Sequence, residues 1–405
     1  MNKMMNIKNL LIALIVTFGL SVSIAQADSP SYSVDGSNYN EYADMLSPGQ
    51  MAMFASYPDT YRMDVYATGS FCNVPADIKA ISVNNGVMIN DNEGFEVENR
   101  GQIPFPDPTH PQHFVWNYRM NASHTPAIYR IATSANVQSD GSIVLGVQET
   151  NVSFPRNPNA AAAYSDQNIY AMFMQKNMGP PRSAGVTTLV HDFIDSYVQP
   201  RKAWQYNPAT RRVRRAPDIT YDTVLLAGGG IVVVDQYAGY NGAQDKYDWS
   251  YEGSKLMLVP MSNDALADNA IETTHSVNHL NPDYVRFEER DVHIVHATLS
   301  PGQRHLYASR TFYFGDDDFG QMFLHDAYDG QGQLMRHTMQ PTITSLTSEG
   351  TCNAQGEYTF DFATRTYTGN NLVGSAFSPV SPIYEGAEEK APSFYTPDGL
   401  RRYAR

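Results

Sequence analysis

Eleven histidines and 42 acidic residues are the side chains from which a metal site or an acid–base pair would be built. Their spacing is therefore the first test of chemistry. His293 and His296 lie in DVHIVHATL, a strand pattern. Residues three apart in a strand point to opposite faces, so these two cannot share one ion locally. His275 and His279 would meet on a helix, but no Glu or Cys joins them. His110 and His113 sit in a proline-rich stretch, Asn99 to His113, that reads as an ordered loop. Asp316-Asp317-Asp318 lacks the alternating ligands and the later Glu of a calcium loop, and reads as a solvated turn between strands. Gly228-Gly229-Gly230 has no Lys-Ser/Thr after it, which points to a bend or bulge instead of a phosphate loop. No G-x-S-x-G elbow, dinucleotide fingerprint or H-E-x-x-H is present. Carboxylates are numerous enough for glycoside hydrolysis, yet nothing singles out a pair. The chain is thus expected to be no enzyme, with no catalytic residue, no metal and no cofactor.

One compositional anomaly remains. The segment PRKAWQYNPATRRVRRAP carries Arg201, Lys202, Arg211, Arg212, Arg214 and Arg215 without an acid, in a chain of net charge −14. Two readings stay open: pairing with internal acids such as Asp218 or Asp222, or contact with an anionic ligand. If Asn207-Pro208-Ala209-Thr210 is a hairpin loop, pairing sets Tyr206 against Arg211, Gln205 against Arg212, Trp204 against Val213 and Ala203 against Arg214. Trp204, Tyr206 and Val213 then share a face flanked by Arg211 and Arg215, while Arg212 and Arg214 project from the other. A slip of one residue would exchange the faces.

The elements that must position these residues are mostly strands. Aromatic content is 12% and charged content only 17%, which favours pleated sheet. The negative net charge argues against nucleic acid as a partner. Residues 1–27 read as a signal peptide: Lys3 and Lys8, the apolar run LLIALIVTFGLSVSI, then Ala25-Gln26-Ala27 with cleavage after Ala27. No later run is long enough to span a membrane, so the expected location is the Gram-negative periplasm. In that oxidising compartment Cys72 and Cys352 read as one disulfide joining the N-terminal region to the C-terminal strands.

Residues 28–113 are expected to be a helical and loop region, with helices at Tyr39–Leu46, Pro48–Ser56 and Pro75–Val83. From Phe114 to Arg405 about a dozen alternating runs separated by Asn, Gly, Asp and Pro turns predict antiparallel strands. No linker divides the chain, so residues 28–405 are expected to form one unit. The predicted class is mainly β (α+β), a large curved antiparallel sheet.

Several long segments resemble a Gram-negative family of domains of unknown function, described as similar to outer-membrane lipoprotein-sorting proteins. They are WQYNPATRRVRRAP, YDTV, YNGAQDKYDWSYEGSKLMLVP, HLNPDYVRFEERDVHIVHATL, GQRHLYASRTFYFGDDDFGQMFLHDAYDGQGQLMR and FYTPDGLRRYAR. The unit from Arg310 to Leu334, closing on Tyr328-Asp329-Gly330-Gln331-Gly332, also resembles the wider LolA/LolB-like superfamily. One glycine position departs from that pattern, as does the Gly228–Gly230 turn. The resemblance implies a half-open β-barrel of lipoprotein-carrier type, its apolar concave face covered by helices. It also implies a periplasmic carrier or chaperone for a lipid or other hydrophobic ligand, with an inner-membrane exporter of the resistance-nodulation-division type and an outer-membrane protein as partners. A wall against water is what such a carrier must supply, at ~0.8 kcal/mol per methylene. The large apolar residues Trp116, Trp204, Tyr206, Trp249, Phe287, Ile294, Phe312 and Phe323, on strand-like segments, are the expected cavity lining, with Arg211 and Arg215 at its polar rim. Two other functions remain in view: a ligand-free assembly or docking factor, and a hydrolase acting on carbohydrate.

Overall fold

The computed structural model describes residues 29–69, 103–121, 126–157, 160, 168–196, 198–216, 221–225, 229–316, 320–344, 352–354, 356–372, 384–385 and 388–405. The expected signal peptide, the helix at Pro75–Val83 and Cys72 lie outside them, as does the side chain of Cys352.

The strands in chain order are β1 (Tyr32–Asp35), β2 (Arg62–Tyr66), β3 (Ala127–Val137), β4 (Ile143–Ser153), β5 (Ile169–Gly179), β6 (Thr187–Phe193), β7 (Lys202–Asn207), β8 (Arg212–Arg215), β9 (Val224–Leu225) and β10 (Val232–Val233). They continue with β11 (Tyr247–Pro260), β12 (Arg286–Leu299), β13 (Ser309–Gly315), β14 (Met322–Tyr328), β15 (Leu334–Met339), β16 (Thr342–Thr344), β17 (Cys352–Ala354), β18 (Glu357–Asp361), β19 (Thr366–Leu372) and β20 (Tyr384–Glu385). Sixteen of them form one sheet, whose path runs β1-β2-β12-β13-β14-β15-β18-β19-β3-β4-β5-β6-β7-β8. The path ends, β1 and β8, do not pair with each other, so the sheet is a half-open barrel. Pairing along it is antiparallel except for β2 on β12, which is parallel. The N-terminal segment thus adds strands to the same sheet as well as the expected helices.

Helix α1 (Pro48–Ser56) begins where expected, for a visible reason. Ser47 Oγ accepts from the Gln50 N–H at 3.2 Å while Gln50 Oε1 accepts from the Ser47 N–H at 2.8 Å. Both donors are buried and the exchange satisfies them reciprocally. The Gly49 N–H donates to Asp326 Oδ2 at 3.0 Å. A Cβ at Gly49 would fall 2.1 Å from Asp326 Oδ1 and 2.2 Å from His337 Nδ1, so only glycine lets α1 sit this close to β14 and β15.

Helix α2 (Pro111–Asn121) corrects the sequence reading. Phe114 and Trp116 were assigned to strand-like runs, and both lie on this helix. Proline at its first position fits a helix start, but the proline-rich approach masks the helical period.

The register separates two faces of the sheet. One carries Tyr313, Leu324, Met339, Tyr358, Tyr367 and Val137, packed in the largest apolar cluster with Met53 and Phe54 of α1. Further along the same face, Met174, Leu189 and Tyr206 pack against Tyr395 and Leu400 near the C-terminus. The other, inner face meets α2 and the chain from Val232 to Trp249.

Candidate functional site

A buried polar strut holds residues Val232–Trp249 against the inner face. Asp235, in a short 3-10 turn after β10, receives Arg310 Nη2 on both carboxylate oxygens, at 2.8 and 3.0 Å, and lies 3.2 Å from His305 Nε2. Burial pushes the Asp235 carboxyl up, but the Arg310 charge and the His305 hydrogen bond outweigh it and hold the group at about 2. Next along the chain, Gln236 Nε2 donates to Thr338 Oγ1 and Thr359 Oγ1, both at 2.8 Å, and its Oε1 accepts from Tyr307 Oη at 2.8 Å. Tyr307 Oη in turn accepts from Arg336, whose Nε donates to Asp361 at 3.1 Å. Gly239 then turns the chain at φ +81°, and a Cβ there would meet Tyr118 Oη at 2.2 Å. Its N–H donates to Glu357 Oε2 at 2.7 Å.

Between this strut and the inner face of β3–β7 lies a cavity of about 860 Å³. Five adjacent strands supply alternate residues to it: Ser134 and Asn136, Gln148, Gln175 and Asn177, Thr188, and Gln205. Asn370 of β19 and Tyr237 and Asn241 of the strut also face it, and apolar walls come from Phe173, Val190 and Val234. Arg201 enters from the side. It pairs with Asp192 at 2.5 and 2.9 Å and donates to the Asn241 carbonyl at 2.7 Å. Its remaining Nη1 is buried and unpartnered among the described residues, as are Ser134 Oγ and Asn370 Nδ2. Three lining residues thus each carry a buried polar atom with hydrogen-bonding capacity unused among the described residues, and leaving such atoms unpaired is costly.

The eight apolar residues nominated from sequence are scattered over four apolar clusters, and none lines this cavity. Phe287, Ile294 and Phe323 belong to the cluster under α1. Trp204 and Tyr206 pack beneath the C-terminal segment, and Trp249 and Phe312 pack with Phe114 of α2. Trp116 is fully buried against Phe105, Phe154 and Tyr170.

The arginine hairpin forms, but two residues out of the expected register. Trp204 opposes Arg215, Gln205 opposes Arg214, Tyr206 opposes Val213 and Asn207 opposes Arg212. Arg211 leaves the strand and sits in the turn at φ 54°. A shift of two preserves the faces, so Trp204, Tyr206 and Val213 do share one. That face carries Arg215 and looks away from the cavity. Arg212 and Arg214 lie on the cavity face, because Arg214 is directly across from the lining residue Gln205. All four are exposed, and no ion pair ties them to Asp222 or any other described residue. Asp218 lies outside the described residues.

Of the three histidine pairs, His110 and His113 come together, their ring centroids 5.7 Å apart, while the other two do not form a shared site. His293 contacts Tyr251 Oη at 2.9 Å and Asp316 at 3.1 Å, whereas His296 meets Thr311 at 3.0 Å. His275 forms a β-bridge with Leu280 instead of sharing a helix with His279. Among the described residues no group of three or more His, Cys, Asp or Glu is placed to hold a metal, and no helix is long and apolar enough to cross a membrane.

An uncharacterized protein of Pseudomonas aeruginosa is 36% identical over 318 residues, spanning 76% of this chain and 69% of its own. Among solved structures, a DUF1329 family protein from Desulfovibrio piger covers 72% of this chain and 97% of its own at 12% identity and TM-score 0.49. A LolA superfamily protein from Nitrosomonas europaea covers 71% and 98% at 10% identity and TM-score 0.43. The family model described as protein of unknown function, DUF1329, matches residues 33–401, and the chain belongs to that family.

Proposed function

We propose that this protein is a periplasmic carrier that binds an amphiphilic lipid or similar hydrophobic molecule without chemically changing it. The observation that carries this reading is the cavity of about 860 Å³ on the inner face of the half-open barrel. Cavities of roughly 300–1,000 Å³ are the size that encloses a small organic ligand. Phe173, Val190 and Val234 give it apolar wall, while Gln148, Gln175, Asn177 and Asn370 give it hydrogen-bonding groups. A mixed lining of this kind suits a molecule with a polar head and a hydrocarbon part better than a bare acyl chain. No Asp or Glu is among the described lining residues, so paired-carboxylate hydrolysis, which needs two, draws no support from this cavity.

Native mass spectrometry of protein purified without detergent tests the reading, together with uptake of a fluorescent fatty acid. Co-purifying lipid and saturable uptake are expected. Thr188 faces the cavity from β6 and is only partly buried, so Thr188→Phe fills space without disturbing a packed core. Uptake by this variant should fall about ten-fold, the effect of roughly 1.4 kcal/mol, with melting unchanged. A bare mass and no uptake by the unaltered protein would remove the carrier reading.

A further inference from the structure

Three hairpin turns, β3–β4, β5–β6 and β7–β8, lie at the same end of the sheet because each joins antiparallel neighbours. The last two touch, since a Cβ on Gly185 would come 3.4 Å from Pro208 Cβ. Arg182 of the β5–β6 turn, Arg211 of the β7–β8 turn, and Arg212 and Arg214 of the edge strand are all exposed there. No ion pair involves any of the four among the described residues. Asp140, in the β3–β4 turn, is an acid at this end, and it is engaged by the Ser142 N–H at 2.9 Å. A chain of net charge −14 therefore gathers unneutralised positive charge at one tip.

The same end exposes aliphatic side chains. Val144, Leu145 and Val224 are 41–43% exposed and line the cavity, which therefore opens here, and Met178, at the end of β5 that leads into this tip, is 50% exposed. Single exposed apolar residues need no explanation, but a group ringing a cavity mouth does. These residues are aliphatic. Among the exposed large apolar residues described, the aromatic one is Tyr251, on β11. A protein-binding patch would be expected to centre on aromatic anchors, and a single-stranded nucleic-acid site on stacking rings.

We propose that this tip docks on an anionic phospholipid surface with the cavity mouth facing the membrane. The guanidinium groups of Arg182, Arg211, Arg212 and Arg214 would meet lipid phosphates, for which their planar donor pairs are suited. Val144, Leu145, Met178 and Val224 would enter the headgroup boundary as the apolar faces of interfacial proteins do. The excess acidic charge elsewhere orients the molecule tip-first towards a negative surface. Docking so arranged would let a ligand pass between bilayer and cavity without crossing water. It goes beyond the carrier reading and is measured independently of it.

Co-sedimentation with vesicles decides the matter, comparing phosphatidylcholine alone with phosphatidylcholine containing about a third phosphatidylglycerol. Binding is expected only to the anionic vesicles, weakening as salt is raised above roughly 0.15 M. Each arginine near the surface contributes about five-fold, so Arg212→Gln with Arg214→Gln should weaken binding about 25-fold. Val144→Ser with Leu145→Ser should also weaken it, and the exposed positions of all four leave melting unchanged. Thr188→Phe should retain vesicle binding even where it abolishes ligand uptake, which separates this proposal from the carrier reading. No vesicle binding, equal binding to both vesicle types, or no response to the arginine changes would overturn the proposal. Competition by polyglutamate as effective as that by anionic vesicles would overturn it in favour of an acidic protein partner.

Discussion

Replacing Arg310 with Leu should cost about 3–5 kcal/mol of stability at neutral pH, because it leaves the Asp235 carboxylate buried without its partner. Arg310 and Asp235 are both essentially inaccessible to water, and the guanidinium is surrounded by the rings of Tyr240, Tyr247 and Tyr307 at 5.6, 5.2 and 4.8 Å. Water cannot take over the lost hydrogen bonds. His305 can, by taking up a proton. Its pKa is now held down by burial and by the Arg310 charge, and removing that charge leaves the Asp235 carboxylate to raise it against burial. A histidine whose folded pKa rises above its unfolded value adds stability below the unfolded value and loses it as pH rises through the folded one. The variant's deficit should therefore shrink on acidification towards pH 6, and Asp235→Asn with Arg310→Leu should recover part of it at neutral pH. Urea unfolding at two pH values measures both effects. A loss below about 1 kcal/mol would show the pair to be solvated and the Val232–Trp249 segment to be anchored by something else. Because Tyr237 and Asn241 of this segment line the cavity, ligand uptake should fall with the strut.

The strands most legible in the sequence are those bounded by turn chemistry. Lys202–Asn207 and Thr366–Leu372 are of this kind, each an alternating run next to turn residues. Helix Pro48–Ser56 matches its expected ends, since its cap Ser47, the proline after it and the reciprocal partner Gln50 are written within four residues. Ile169–Gly179 is less legible. Its sequence, IYAMFMQKNMG, runs apolar without alternation at its start, and the register shifts between Ile169 and Ala171 where it pairs with β6. The arginine hairpin shows how local geometry defeats simple pairing: Arg211 adopts a left-handed conformation that a non-glycine residue rarely takes, and the turn moves along the chain by one residue.

The candidate site was obscured by a sound rule applied to the wrong face. Alternation places apolar residues inwards, and the apolar residues of β6 and β7 do go into a core, Leu189, Trp204 and Tyr206 beneath the C-terminal segment. The opposite face would ordinarily be wet. Here it is curved inwards and roofed, so Asn136, Gln148, Gln175, Thr188 and Gln205 line a cavity open at one end. A trace of this existed in the sequence, as amide and hydroxyl side chains recurring at one face of five successive strands. Which face curves inwards depends on contacts far along the chain, such as Gln236 with Thr338 and Thr359, and no local pattern encodes them.

Glu357 should make the protein less stable as pH rises from 4.5 towards 8, and Glu357→Gln should remove that dependence. The side chain is buried on β18. Burial raises its pKa from 4.5 to about 8, even though the Gly239 and Ala238 N–H groups pull it down. At neutral pH the folded protein therefore holds a proton that the unfolded chain has released. The folded state binds more protons throughout this window, so stability falls as pH rises and levels off above the folded value. The full effect is up to about 4 kcal/mol at pH 8. Glutamine mimics the protonated acid: its carbonyl can still accept the Gly239 N–H now received by Oε2 at 2.7 Å, and its amide occupies the place of Oε1, which has no partner among the described residues. His275, His279, His305 and His325 are held down by burial and add stability as pH rises through the ordinary histidine range. They are common to both proteins and cancel in the comparison. The difference between variant and parent should thus be near zero at pH 4.5 and grow steadily in favour of glutamine up to pH 8. A pH-independent difference would mean that Glu357 is ionised in the folded state, with water or a cation reaching it at the turn that holds the roof of the cavity in place.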